Sequence, residues 1–254
     1  QGGTGLAQRG QPHRHLVVEL LRMVGMDDDH HLLAPLTHPV DQAGVDALRV
    51  VHGEQGMTIH ADLPEEATVL GKTRVTGLVD KGEGRGALLY YEKTLTDEAT
   101  GVHLATCRGT TFLRGDGGFG GPQGPVRTPH VLPEGPPDHV FEARTRPEQA
   151  LLYRWNADPN PLHLDPRVAE RAGFERPILH GLCTFAMAAR GLIEQISPDA
   201  PEALRAISGR FSRPVFPGET LRVTFWQQAG EVLFEAAVEE RNLVVLTGGR
   251  ARFA

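Results

Sequence analysis

Several features that would place the chain in a specialised class are missing from its 254 residues. No stretch approaches the run of about 18 apolar residues that a membrane-spanning helix requires. Lys and Arg total 26 against 32 Asp and Glu, which leaves a net charge of −6 and offers no general attraction to a phosphate backbone. We therefore expect neither a membrane nor a nucleic acid as a partner.

Cysteine and targeting signals are also scarce. Cys107 and Cys183 are too few for a disulfide framework, and both have apolar neighbours, so we expect a reducing, cytoplasmic location. The first residues resemble neither a signal peptide nor a transit segment, and the last four form no recognised address signal. The chain begins with Gln1 rather than Met, which is consistent with a fragment or a processed product.

The composition is otherwise globular, with 40% hydrophobic and 23% charged residues. At about 150 residues per domain, this length suits one large domain or two small ones. Residues 115–138 contain seven Gly and six Pro, which disfavour both helix and central strand. We predict a linker there, between an N-terminal domain at 1–114 and a C-terminal domain at 139–254.

The two halves have similar patterns, which indicates a duplicated domain. Alternating runs begin at Gly71 and at Gly218, and each is followed by two further strand-like segments, at 87–96 and 102–113 in the first half and at 232–239 and 243–253 in the second. Apolar residues at spacings of three and four predict a buried helix over Gly181–Ile196. Antiparallel strands with one long helix predict an α+β fold. Residues 16–25 have helical potential, but the rest of 1–45 is irregular and finds no place in this scheme.

The segment 153–166 has the residues expected of a catalytic loop. Asp158, Asn160 and His163 lie among prolines that prevent regular structure, and a rigid loop with these groups suits acid–base chemistry. Asp158 and Asn160 could equally be turn formers. His163 could simply bond within the loop, or it could bind a metal with Asp165, although no third ligand is evident nearby. Asp165 itself is better explained as the N-cap of a short helix.

The segment 177–182 leads into the long helix. Gly181 at the helix start combines free N–H groups with the absence of a Cβ, so it could hold an oxyanion or could merely permit tight packing. We interpret His180 as a structural residue.

These segments together resemble type-2 (R-specific) enoyl-CoA hydratases and the wider MaoC-like dehydratases. The resemblance covers roughly residues 45–254 and includes His52-Gly53-Glu54-Gln55 and the strand region 68–119, which look like the family's non-catalytic repeat. The loop signature is carried by Tyr153, Arg154, Asp158, Asn160, Pro161, Leu162, His163, Asp165 and Pro166, and it continues at Ala169, Gly173, Phe174, Pro177, Ile178, His180 and Gly181.

The resemblance implies a double hot-dog, in which two curved antiparallel sheets are each wrapped on a long helix. The C-terminal copy would be catalytic, and the N-terminal copy would make room for an acyl chain. The implied enzyme is a hydro-lyase of fatty-acid metabolism (such as β-oxidation) that adds water reversibly to trans-2-enoyl-CoA and forms (3R)-3-hydroxyacyl-CoA. It needs no metal or organic cofactor, because coenzyme A arrives with the substrate. Two such chains could pair as a homodimer.

The resemblance also implies roles for individual residues. Asp158 and His163 would be the acid–base pair, Asn160 would help to orient the water, and the Gly181 N–H would hold the thioester oxygen. Three residues are expected to contact the substrate: Pro161, Leu162 and Arg213. Arg213 could meet the phosphates of coenzyme A or could be an ordinary solvated charge.

Three departures from the family pattern leave alternatives open. Ala157 replaces a common Gly, Trp155 and Asn156 replace the usual Leu and Ser/Gly, and residues 1–45 do not follow the family. The alternatives are a hot-dog thioesterase and a non-catalytic module that binds acyl-CoA. The thioesterase is disfavoured because the long helix lacks the carboxylate that many such enzymes use.

Overall fold

The computed structural model describes residues 49–128, 130–155 and 158–254. Within these ranges the chain forms nine strands, three α-helices and two short 3₁₀ turns. In chain order the elements are β1 (Val50–Ile59), β2 (Val69–Asp80), β3 (Ala87–Asp97), β4 (His103–Leu113), β5 (His139–Arg144), α1 (Gln149–Arg154), a 3₁₀ turn (Pro161–His163), α2 (Pro166–Arg171), α3 (Gly181–Ile196), a 3₁₀ turn (Pro201–Ala203), β6 (Leu204–Phe211), β7 (Thr220–Gln228), β8 (Glu231–Val238) and β9 (Leu243–Phe253).

All nine strands belong to one antiparallel sheet, with the order β2-β3-β4-β1-β6-β9-β8-β7-β5. Strands β1 and β6 pair at its middle and join the two halves of the chain. Outward from this seam, the first half runs β1, β4, β3, β2 and the second runs β6, β9, β8, β7. This repeated strand order is what a duplicated domain predicts. Strand β5 has no counterpart among the described residues of the first half.

The second half is built around α3, whose bounds agree with the prediction from apolar spacing. The helix packs against β5, β6 and β7, and its buried side chains, including Phe185 and Leu192, meet inward-facing sheet residues such as Phe225 and Phe234. A Cβ on Gly191 would fall 2.5 Å from the Phe141 ring. A glycine at this position therefore lets the helix approach β5 closely, which the core requires because interiors are tightly packed.

The first half forms the predicted strands. Residues 16–25, which have helical potential, lie outside the described residues, as does the rest of 1–45. None of the helices in the described ranges is long and apolar enough to cross a membrane. Within the described part of the chain, strand β2 lies at one edge of the sheet and pairs with β3. Its side chains Leu70, Val75 and Leu78 are exposed.

The Gly/Pro-rich segment 115–138 contains no helix and, before β5, no strand among its described residues. It is nevertheless fastened to the first half. The buried Asp80 carboxylate at the end of β2 accepts hydrogen bonds from the backbone N–H groups of Gly118, Gly120 and Gly121, at 2.7, 2.8 and 3.3 Å. These bonds satisfy backbone donors that a chain of this composition cannot place in regular structure.

Candidate active site

The loop that carries Asp158, Asn160 and His163 lies between α1 and α2. Its prolines prevent either helix from continuing through it. Asp165 is the N-cap of α2, where its side chain accepts a hydrogen bond from the backbone N–H of Arg167. Pro166 occupies the first helical position, where a missing N–H costs nothing. Gly173 follows the helix with φ of 85°, a conformation that favours glycine. The interpretation of Asp165 as a cap is therefore confirmed.

Asp158 and Asn160 organise the first part of the loop. An Asp158 carboxylate oxygen accepts the backbone N–H of Asn160 at 3.0 Å, and the Asn160 side-chain oxygen accepts the N–H of Leu162 at 3.0 Å. Arg154 holds the same segment from outside through two hydrogen bonds to the Pro159 carbonyl. The turn-forming role proposed for Asp158 and Asn160 is thus present. Among the described residues, these bonds leave one carboxylate oxygen of Asp158 and the amide NH₂ of Asn160 for a substrate.

A small apolar cluster anchors the second part of the loop. Leu162 is buried in it, whereas Pro161 beside it is exposed at the start of the 3₁₀ turn. The cluster consists of Leu162, Ala169, Ala172, Ile178 and Phe216. Because this cluster fixes the turn that carries His163, Leu162 has a packing role in addition to the substrate contact predicted for it.

His163 is buried, and its orientation is fixed by one hydrogen bond. Its Nδ1 lies 2.8 Å from the carbonyl oxygen of Ile178. Since a carbonyl can only accept, Nδ1 carries the proton, and the neutral ring offers a lone pair at Nε2. Burial lowers the pKa of His163 below 6.5, against a smaller opposing effect of the hydrogen bond to Ile178 and the charge of Asp158. The ring is therefore neutral at neutral pH and suited to accept a proton.

His180, which we interpreted from the sequence as a structural residue, also lies in the site. Its ring stacks on that of His163, with centroids 3.7 Å apart, and contacts the ring of Tyr153 at 4.6 Å. Its Nε2 is 3.2 Å from the backbone oxygen of Asp158, and its buried Nδ1 has no hydrogen-bond partner among the described residues. Burial, followed by the neighbouring His163, lowers the pKa of His180.

The expectation that no third metal ligand lies near His163 is wrong. One ligand atom from each of Asp158, His163 and His180 lies within 4.8 Å of those of the other two. Asp165, the partner considered from sequence, is instead occupied with Arg167. Sequence spacing could not show this, because His180 reaches the loop through the fold. The available signal was a histidine directly before the helix start.

Gly181 begins α3 next to these residues. As the first residue of the helix, its N–H has no acceptor within the helix. A Cβ at this position would lie 3.3 Å from the ring of Phe211, so the tight-packing explanation for the glycine also has support. The same Phe211 ring contacts the imidazole of His52 at 4.8 Å.

His52 brings the first half of the chain to the site. It lies on β1, and its Nε2–H donates a hydrogen bond to the backbone oxygen of Glu54 at 3.0 Å. Burial lowers its pKa to about 4, and the negative charge of Asp158 opposes that shift. The resemblance used His52 only to recognise the first repeat, so its proximity to the acid–base loop is a finding of the structure.

The remaining predicted residues are less closely involved. Arg213 is exposed and donates to the Ser212 carbonyl at 2.8 Å. Trp155 is 91% exposed beside the loop. Asn156 and Ala157, two of the departures from the family pattern, lie outside the described residues.

The two halves match two family descriptions. Residues 29–115 match the MFE-2 hydratase 2 N-terminal domain, and residues 130–248 match the MaoC like domain. The first match covers most of the part that sequence resemblance assigned to a non-catalytic repeat. The second contains every predicted site residue.

Similar proteins have related descriptions. The chain is 41% identical to "Enoyl-CoA hydratase 2, peroxisomal" of Arabidopsis thaliana, over 85% of this chain and 73% of that protein. A solved MaoC-like dehydratase from Phytophthora capsici superposes with a TM-score of 0.75 at 36% identity, over 82% of this chain and 73% of that one. A Mycobacterium tuberculosis protein described as a double hot-dog fold superposes with a TM-score of 0.52 at 17% identity, over 95% of this chain and 90% of that one. The last comparison shows the fold alone.

Proposed function

The chain belongs to the MaoC-like dehydratases and, within them, to the type-2 enoyl-CoA hydratases, and on that premise we propose that it adds water reversibly to trans-2-enoyl-CoA to give (3R)-3-hydroxyacyl-CoA. Its fold is the double hot-dog of that family. The observation that carries the proposal is the meeting of Asp158, His163 and the start of α3 within one site.

The chemistry requires a nucleophilic water at C3, a proton at C2 and stabilisation of the thioester oxygen. We assign Asp158 as the base that takes a proton from water while the water oxygen bonds to C3. The same proton then passes to C2, which restores the carboxylate and balances the addition. Acid–base help of this kind accelerates a reaction by about 10²–10⁴-fold.

His163 positions the water. Its Nδ1–H donates a hydrogen bond to the Ile178 carbonyl, so its Nε2 is an acceptor. The ring can therefore accept a hydrogen bond from one O–H of the water while Asp158 removes the other proton. The Asn160 amide is the donor that could bind the water oxygen. The negative charge of Asp158 acts on the His163 ring and opposes the lowering of its pKa by burial.

The Gly181 N–H is the proposed donor to the thioester oxygen, on which negative charge develops as C3 is attacked. One such donor contributes about 3–4 kcal/mol to transition-state stabilisation. We keep Pro161 and Leu162 as substrate contacts and Arg213, which is exposed, as a contact for the coenzyme A phosphates. The reaction as proposed uses no metal or organic cofactor.

The alternative of a thioesterase finds little support in α3. Its carboxylate, Glu194, lies in the last turn and forms an exposed ion pair with Arg190. It is therefore remote from Gly181 at the other end of the helix. A thioesterase would release free coenzyme A thiol, and a non-catalytic module would bind acyl-CoA without turnover.

The location and assembly of the chain are part of the proposal. Cys107 and Cys183 are free, buried thiols, as expected in a reducing compartment, and we propose the cytoplasm; a fluorescent fusion would distinguish it from the peroxisome named for the Arabidopsis relative. We also propose a homodimer. Leu151, Leu152 and Trp155 are exposed apolar side chains near the loop that pairing could cover, and sedimentation of the full chain tests this.

The deciding experiment follows the ultraviolet absorbance of crotonyl-CoA, which falls as the conjugated double bond is hydrated. We expect turnover by the wild type, and a loss of about 10²–10⁴-fold in kcat for Asp158→Asn and for His163→Gln. Asp165→Asn is the matched control, because Asn is an equally good N-cap and because, among the described residues, this carboxylate bonds with Arg167 of α2. Hydration that survives Asp158→Asn, or release of free thiol instead of hydration, would overturn the proposal.

A further inference from the structure

We propose that Gln55 is a specificity-determining residue that binds a hydroxyl group on the acyl chain of the substrate, and that the ring of Tyr91 moves aside to admit this chain. The inference deepens the proposed function and rests on it for the identity of the ligand as an acyl-CoA. It names the class of substrate as acyl chains that carry a hydroxyl group several carbons away from the thioester.

The side chain of Gln55 is buried, and only one end of its amide is bonded. It lies on β1 and is 2% exposed. Its Nε2 donates to the Gly56 carbonyl at 3.2 Å, and since a carbonyl can only accept, this bond fixes which end of the amide is the oxygen. That oxygen, Oε1, is buried and has no hydrogen-bond partner among the described residues. A buried acceptor without a donor costs free energy, so a ligand that brings a donor would be stabilised here.

His52 interacts with Gln55 but cannot supply this donor. Its Nε2–H is already donated to the Glu54 carbonyl. Burial lowers the pKa of His52 to about 4, so the ring is neutral at neutral pH and its other nitrogen carries no proton. The ring can therefore only accept a hydrogen bond from the Gln55 amide. The donor for Oε1 has to come from another group.

Gln55 belongs to a row of paired residues that crosses five strands, which we call the cross-strand row. In the order β2, β3, β4, β1 and β6 it consists of Val75, Tyr91, Gly109, Gln55 and Gly209. Paired residues of neighbouring strands face the same side of a sheet. Met57, two residues along β1 from Gln55, belongs to the core that contains α3. The cross-strand row therefore lies on the inner face of the sheet.

Exposure falls along the cross-strand row from the edge of the sheet to the seam between the halves. Val75 is 61% exposed, Tyr91 is half-buried and Gln55 is buried. The Tyr91 ring lies over Gly109, because a Cβ at that glycine would overlap the ring and its hydroxyl. Since Gly109 has no side chain of its own, movement of the ring toward Val75 would open a groove beside Gln55. The ring thus covers the approach to Oε1.

The cross-strand row is connected to the candidate active site through β6. Gly209, the partner of Gln55, is two residues from Phe211, or about 7 Å along the strand. The Phe211 ring lies against Gly181 and contacts His52. A thioester held at Gly181 therefore has to extend its acyl chain by several carbons to reach Gln55, and a butyryl chain is too short.

The surroundings of Oε1 favour a neutral donor. A carboxylate has no proton to donate at neutral pH, and an ammonium group carries a charge that burial disfavours. A purely apolar chain leaves the oxygen unpaired. A hydroxyl group supplies a proton without a charge. The pantetheine amides of coenzyme A are the other neutral donors of the substrate, and the length of the acyl chain distinguishes the two sources.

The test measures the binding of saturated acyl-CoAs to the full chain by calorimetry, because these ligands lack the reactive double bond. We expect decanoyl-CoA with a hydroxyl group at C6, C7 or C8 to bind, at one of these positions, about 3–10-fold more tightly than decanoyl-CoA itself. Gln55→Met keeps the volume but removes the acceptor. It should abolish this preference and leave the affinity for butyryl-CoA unchanged.

The folding of the variant is checked by circular dichroism and by its Tm, which should not fall because an unpaired buried acceptor is removed. Gln55→Leu is the second variant should Gln55→Met fail to fold.

Tyr91→Leu tests the movement of the ring. A leucine does not reach across Gly109, so this variant should bind both decanoyl ligands about 2-fold or more tightly, since a closed state lowers the apparent affinity, and it should keep the preference for the hydroxyl group. Tyr90→Leu is the matched control. Tyr90 belongs to a separate cluster with Val79 and Leu88, so its replacement should leave both affinities unchanged.

Each other outcome contradicts a part of the proposal. Equal affinity of the wild type for plain and hydroxylated decanoyl-CoA would mean that a water molecule serves Gln55, and it overturns the subsite. Weaker binding of butyryl-CoA to folded Gln55→Met would place a pantetheine amide there and also overturns it. Unchanged affinities in Tyr91→Leu overturn the movement of the ring.

The subsite and the proposed function can fail separately. If the preference for a hydroxyl group depends on Gln55 but the chain hydrates no trans-2-enoyl-CoA, the subsite stands and the proposed function fails. If the chain hydrates trans-2-decenoyl-CoA but shows no such preference, the proposed function stands and the subsite fails.

Discussion

The imidazole rings of His163 and His180 stack with their centroids 3.7 Å apart, although one comes from a 3₁₀ turn and the other from the residue before α3. Two protonated imidazoles at this distance would repel each other strongly. Burial and this mutual effect both lower the pKa of His180, and burial lowers that of His163. The stack therefore keeps both rings neutral where a catalytic acceptor is needed.

The pH dependence of activity follows from this. A pKa of His163 below 6.5 means that the ring gains its proton only in more acidic solution. We expect kcat/KM for crotonyl-CoA to stay level as the pH falls to 6.5 and to decline below it. The measurement is a pH profile in buffers of constant ionic strength. A decline already centred above pH 6.5 would contradict a buried, neutral His163.

The stability of the chain should depend on pH through His52. Burial lowers its pKa from 6.5 to about 4. Between these two pH values His52 is protonated in the unfolded chain and neutral in the folded chain. Stability is therefore complete above pH 6.5 and is lost as the pH falls toward 4, at up to about 1.4 kcal/mol per pH unit. Urea unfolding of the wild type and of His52→Gln should show a shallower slope in the variant. Parallel slopes would mean that His52 titrates normally.

The sequence predicted much of this molecule because local patterns determine it. Apolar spacing defined α3, the Asp165-Pro166 pair defined the start of α2, and alternating segments located most of the strands. The joining of both halves into one sheet through β1 and β6 was not predicted, since edge pairing leaves no local signature.

The site was only partly predictable for the same reason. Asp158, Asn160 and His163 share one loop, so their pattern could be read directly. His180 and His52 reach that loop through tertiary packing, from the start of α3 and from β1 of the other half. The sequence placed His180 in the family signature and His52 in the first repeat, but only the structure shows that both lie beside the loop.

The role of Gly181 can be separated from its packing. A Cβ there would lie 3.3 Å from the Phe211 ring, which is close enough to displace the ring or the helix start. We expect Gly181→Ala to lower the Tm and to reduce kcat. Adding Phe211→Leu should relieve the contact and recover the Tm, while kcat should stay low if the substrate carbonyl must approach the bare backbone.

Recovery of both quantities in the double variant would show that the glycine serves packing alone. Phe211→Leu by itself is the matched control, because it changes the same ring without adding a Cβ. Its Tm and kcat give the baseline against which the double variant is compared.

The attachment of the Gly/Pro-rich segment depends on Asp80. Its carboxylate accepts backbone N–H groups of that segment, and these bonds, with Gly118 first, lower the pKa of Asp80. We expect Asp80→Ala to accelerate hydrogen exchange at Gly118 and Gly120 and to expose residues 115–124 to proteases, because the N–H groups of both glycines lose the acceptor that they have in the structure. Asp138→Ala is the matched control. Asp138 accepts the Gln227 N–H at the other end of the segment, so its loss should leave exchange at Gly118 unchanged, and equal acceleration in both variants would show that the segment loosens as a whole.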